Sequence, residues 1–260
     1  MNRPDAVETV RSLIGDRYPQ AVQAWLGGSA AAGRLTETSD LDVTVVLPGT
    51  TVCREALTYA GWPIELFVHT EESVRRFVQM DAAKRQPSMA RLVASSIPVL
   101  AGDRGAELRA YCSAVLEEGP APLTDDEVRL ARYVLTDLLD DLDGRGSEPA
   151  MDAVVVEVWR RTAELLLASE RRWSGSGKWL VREIEALDTA AGSRYATWLH
   201  ESLQAALNGN PEDLVRLVDE VLDRMGGRLR DGFHLSAGSG EGQVRREDVE
   251  PVQVAAQGQI

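Results

Sequence analysis

The chain of 260 residues is 44% hydrophobic and carries 41 acidic against 28 basic side chains, a formal net charge of −13. Such a composition supports a folded core, while so acidic a body repels nucleic-acid phosphate and excludes general nucleic-acid binding. Two cysteines, Cys53 and Cys112, make neither a disulfide framework nor a zinc cluster, and no apolar run approaches the about 18 residues of a membrane span, so a cytoplasmic protein without a membrane partner is expected.

In chain order, apolar spacing predicts a helix over residues 6–13. Residues 21–26 end in Gly27-Gly28 and read as a strand entering a tight turn. Residues 41–47 (LDVTVVL) are β-branched and bounded by Pro48-Gly49, a strand pattern. Residues 62–69 (WPIELFVH) form another, with Pro63 near the start, where a missing N–H costs least. Residues 52–59 are expected as a strand between these two, giving an antiparallel run. Helices over 71–78 and 89–95, a short strand over 97–100 and a helix over 104–118 lead to Gly119-Pro120-Ala121-Pro122, the expected domain boundary.

Beyond it, Thr124-Asp125-Asp126-Glu127 spells a capping box, and apolar residues at helical spacing carry that helix to about residue 143. Segments 151–170, 179–187, 194–207 and 211–225 complete a bundle. From about Ser236 the chain is rich in Gly, Ser, Glu and Gln without periodicity and is expected to be disordered. The expected fold is therefore α+β: a small mixed-sheet domain over 1–118, an all-helical bundle domain over 120–233, and a disordered tail over 236–260.

Chemistry concentrates in residues 27–42, GGSAAAGRLTETSDLD. Strand alternation sends Asp40 and Asp42 to one face and Leu41 to the core. Two carboxylates about 7 Å apart along a strand can share a hard divalent cation. Gly28 lets backbone approach a ligand, and the amides and hydroxyl around Ser29 can face phosphate oxygens. A phosphate cradle and metal-binding carboxylates converge here.

This stretch resembles the motif of the nucleotidyltransferase superfamily that includes DNA polymerase beta, poly(A) polymerases and aminoglycoside nucleotidyltransferases: Gly-Ser, a short spacer, then Asp-x-Asp. The resemblance implies a third carboxylate on a later strand, for which Glu65 in Pro63-Ile64-Glu65-Leu66 is the match; a glutamate there is similar to the kanamycin-modifying members. It further implies Mg²⁺ on Asp40, Asp42 and Glu65, a nucleoside triphosphate (ATP in the first instance) at Gly28, Ser29 and Ser39, and transfer of AMP to a hydroxyl of a small molecule. Many relatives carry Arg directly before the glycine corresponding to Gly33, whereas Ala32 stands here and Arg34 follows. A cationic acceptor, such as an aminoglycoside- or lincosamide-like antibiotic, would be drawn to an acidic cleft. Two other readings stand beside this one. A protein-modifying adenylyltransferase of the antitoxin kind is opposed by the long helical half, and a degenerate nucleotide-binding module by the three carboxylates.

In the second half, Glu157 interrupts the apolar run from Val154 to Trp159. It is either the general base or an edge residue paired with Arg161 one turn on, with Asp137 as the alternative base. Ser174-Gly175-Ser176-Gly177-Lys178 fails as a P-loop, because Arg172 occupies the first glycine position and Trp179 follows the lysine. Lys178 nevertheless remains a candidate for triphosphate contact. His69, His200 and His234 are widely spaced and read as structural or surface residues.

Overall fold

Two apolar strands organise the amino-terminal half. In the computed structural model, which describes residues 3–143 and 148–235, β2 (Leu41–Val46) and β4 (Trp62–His69) lie side by side as parallel neighbours. Strands this apolar need cover on both faces, which the centre of a sheet provides. The sheet has the order β3-β4-β2-β1-β5, with β1 (Gln23–Leu26) antiparallel to both β2 and β5 (Ile97–Leu100). The expected antiparallel run is corrected here: β3 (Cys53–Tyr59) does not separate β2 from β4 but forms the outer edge, pairing with β4 alone. Its side chains alternate between exposed and half-buried, a pattern suited to an edge and too polar for the centre. The β3–β4 hairpin turns on Ala60 and Gly61, both at positive φ, as tight hairpin loops require.

One face of the sheet, built from Leu41, Val43, Val45, Ile64 and Leu66, packs on Val10, Leu13 and Ile14 of α1 (Ala6–Arg17). The other carries Trp25 and Val46 against α3 (Glu71–Ala83), α4 (Ser88–Ala94) and α5 (Gly105–Glu118) through Val74, Val78, Val93 and Leu108. Each such side chain, once fully buried, contributes about 1.5–3 kcal/mol. A single turn of helix, α2 (Gly28–Ala31), sits between β1 and β2.

Among the described residues five helices follow: α6 (Asp125–Asp143), α7 (Glu148–Ser169), α8 (Lys178–Ala191), α9 (Tyr195–Leu207) and α10 (Glu212–Asp223). They enclose their own buried cluster, including Leu139, Val158, Leu166, Ile184 and Leu217. The capping box forms: the Thr124 amide donates to Glu127 Oε2 at 2.8 Å and the Glu127 amide to Thr124 Oγ1 at 3.2 Å. The fold is α+β with a helical carboxy-terminal part. The tail expected from residue 236 lies outside the described residues, among which no helix is long and apolar enough to cross a membrane.

Polar contacts join the two halves on the α3–α5 side of the sheet. Arg85 donates to both oxygens of Glu127 at 2.8 and 3.0 Å, and the Ser174 amide to the Arg85 carbonyl at 2.7 Å. Arg91 meets Glu183 at 2.6 Å, and Trp173 Nε1 donates to the Leu116 carbonyl at 2.9 Å.

Candidate nucleotide and metal site

Every residue of β2 is buried except Asp42, which is half-buried at the start of the strand. In-register parallel pairing sets Glu65 of β4 directly beside it, and Asp40 precedes the strand in an exposed position. Asp40, Asp42 and Glu65 each offer one oxygen, and these oxygens all lie within 4.8 Å of one another. The three carboxylates singled out by sequence are thus brought together.

The glycine turn is built against the same aspartate. The Gly27 amide donates to the Asp42 carbonyl at 2.7 Å. Gly28 has φ +61°, and a Cβ there would stand 1.9 Å from Asp42 Oδ2, so both backbone conformation and space demand glycine. The Ser29 carbonyl accepts from the Arg34 amide at 2.9 Å, which closes the turn after α2. Ser39 Oγ accepts from the Thr36 amide at 2.9 Å, and the Ser39 carbonyl accepts from Arg3 at 3.3 Å. Ser39 therefore shapes the turn that delivers Asp40.

Burial pushes the Asp42 carboxyl above its ordinary range, and the charges of Asp40 and Glu65 push it further; Lys178 and Arg54 oppose them. Lys178 is the first residue of α8, so the helical half brings a cation to bear on the acidic cluster. Sequence reasoning missed Arg54. It donates from Nε to Glu65 Oε1, and its guanidinium lies 5.1 Å from the Phe67 ring centroid. Only the register of β3 on β4 reveals that proximity. Nor did sequence anticipate that the guanidiniums of Arg91 and Arg182 would both lie over the Trp179 ring, at 5.0 and 4.9 Å.

Glu157 has other partners. Its carboxylate accepts from Arg160 at 2.8 and 3.0 Å and also from Arg161, and these bonds hold it below the ordinary glutamate range. The pairing with Arg161 one turn on is the edge arrangement that the sequence offered beside the role of general base. Asp137 faces Arg230 at 3.4 Å. His69 is buried, with Nδ1 3.0 Å from Ser73 Oγ; burial, then the charge of Arg76, brings it down to about 4, so it is neutral and structural.

Residues 7–84 match the family described as nucleotidyltransferase domain. No curated protein sequence matches the chain. Among solved structures, a nucleotidyltransferase-like protein from Exiguobacterium sibiricum 255-15 is similar over 85% of this chain and 75% of its own, with 10% identity and a TM-score of 0.45. The matched span holds β1 to β4, the Gly28-Ser29 turn and all three clustered carboxylates; residues 7–84 are a nucleotidyltransferase domain.

Proposed function

We propose that the chain is a Mg²⁺-dependent nucleotidyltransferase that moves a nucleoside monophosphate, AMP from ATP, onto a hydroxyl of a small molecule. The observation that carries this reading is the meeting of Asp40, Asp42 and Glu65, with oxygens within 4.8 Å, against a glycine turn that has no room for a Cβ. Three carboxylates so close, one of them pushed up by burial and by the other two, suit a divalent cation by charge and by donor type. Mg²⁺ held by these residues would neutralise charge on the triphosphate and on departing pyrophosphate.

The chain's own residues supply position and charge. Gly28 leaves backbone open to close approach by phosphate, and Lys178 adds a cation on the side of the helical half. The acceptor hydroxyl oxygen bonds to the α-phosphorus as the bond to pyrophosphate breaks and the hydroxyl proton passes to water, so catalysis rests on alignment and electrostatics and needs no nucleophile from the protein. The net charge of −13 favours a cationic acceptor of the amino-sugar or lincosamide type. Incubation with MgATP and a panel of hydroxyl-bearing small molecules, read by mass spectrometry, tests the reading. The expected result is an acceptor heavier by one nucleoside monophosphate with pyrophosphate released. Equal MgATP binding by wild type and by the Asp40→Asn, Asp42→Asn and Glu65→Gln variants would overturn it.

A further inference from the structure

The first turns of α8 carry a guanidinium that the fold holds in place and leaves unpaired. Arg182 is half-buried, yet among the described residues it forms no ion pair and no hydrogen bond. What holds it is the Trp179 ring, whose centroid lies 4.9 Å from the guanidinium. The ring is itself fixed. The turn before α8 packs directly on it, since a Cβ on Gly175 would stand 2.6 Å from Trp179 Cβ. The other cation on the ring, Arg91, is committed elsewhere, to Glu183 at 2.6 Å and to the Ser174 carbonyl at 3.2 Å. Stacking on an indole orients a guanidinium and leaves its N–H edge free to meet an anion.

Helix geometry aims that edge at the acidic cluster. Lys178 and Arg182 are four residues apart on α8, so they share a face with Cβ atoms about 6 Å apart. Leu180, Ile184 and Leu187 are buried in the bundle, which leaves Lys178 and Arg182 off the core side. Helical side chains lean towards the amino terminus of their helix, so Arg182 reaches back over the turn that carries Lys178. The charge of Lys178 is felt at Asp42. A triphosphate approaching three carboxylates in a chain of net charge −13 needs cations on its far side, and Lys178 alone supplies one.

We propose that Arg182 is a triphosphate-binding residue: its guanidinium, held on Trp179, takes oxygens of the β- and γ-phosphates beside Lys178. The inference rests on the proposed nucleotide transfer at the acidic cluster and names the group of the helical half that fixes the tail of the nucleotide.

The test is isothermal titration of MgATP into the full chain and into its Arg182→Gln, Arg182→Lys and Asp42→Asn variants, with melting temperatures measured alongside. Arg182→Gln is expected to bind MgATP about tenfold more weakly, as for loss of a hydrogen bond to a charged group. Its melting temperature is expected to fall by no more than about 4 °C, the most that an exposed cation–π contact is worth in a chain of this size. Arg182→Lys is expected to recover only part of the affinity, because an ammonium restores the charge and not the planar fork. Full recovery in Arg182→Lys makes the effect one of charge at a distance and overturns the contact. A larger fall in melting temperature with the weaker binding makes Arg182 structural and also overturns it. Equal binding by wild type and Arg182→Gln, with binding lost in Asp42→Asn, overturns this inference and leaves the nucleotide site standing. Absence of MgATP binding by the wild type overturns both.

Discussion

Asp42 and Glu157 are acids of similar strength set in opposite surroundings. Asp42 is half-buried among like charges, and its carboxyl is pushed up. Glu157 lies between two guanidiniums on the surface of α7, and its carboxyl is held down. The first cluster keeps like charges together, opposed by Lys178 and Arg54; the second is already neutralised by its own helix. Surroundings, not residue type, separate a candidate reactive acid from a structural one.

The sharpest way to break that comparison is Asp42→Asn. Loss of an outer partner of a metal ligand costs up to about 100-fold in metal affinity or activity, and replacement of a direct ligand is expected to cost at least as much. MgATP titration measures it. Without metal the variant is expected to melt higher than the wild type. A carboxyl raised in the folded state stabilises at low pH and loses that contribution as pH rises, so at neutral pH the amide removes a penalty. Mg²⁺ is expected to raise the melting temperature of the wild type and not of the variant.

Gly28→Ala sharpens the geometric side of the same cluster. It places a side chain at φ +61° and a methyl on Asp42 Oδ2, and is expected to cost about 1–3 kcal/mol in urea unfolding, together with metal affinity. Gly33→Ala is the control, at φ +64° but with nothing within 4 Å, and is expected to leave metal affinity intact.

Glu127 extends the comparison to the junction. Its bonds to Arg85, first, bring its carboxyl from 4.5 down to about 2. A depressed acid contributes stability above its unfolded value and loses it as pH falls through the folded one. Stability is therefore expected to decline from about pH 4.5 towards pH 2 by a part that Glu127→Gln abolishes, read as denaturation midpoints against pH. The smallest effect is expected for Glu157→Gln: turnover within about twofold of wild type and stability changed by no more than about 1 kcal/mol, as for exposed ion pairs. A hundredfold loss of turnover would instead assign Glu157 the role of base.

Much of this was legible locally. Short β-branched and apolar runs marked β2 and β4, the capping box marked the start of α6, and the Gly-Ser and Asp-x-Asp spacing marked the cluster, because each depends on residues within one element or one turn. The pairing of Glu157 with Arg161 was visible at one helical turn, but as one of two readings. Tertiary structure decided the rest. The place of β3 at the edge, and hence Arg54 beside Glu65, followed from which strands most needed burial on both faces, a comparison no single strand contains. Lys178 near Asp42 joins segments far apart in sequence. Sequence alone determined the elements and the acids one strand presents; docking of the helical half on the sheet decided which charges those acids face, because burial and Coulomb interaction depend on separation in space and not along the chain.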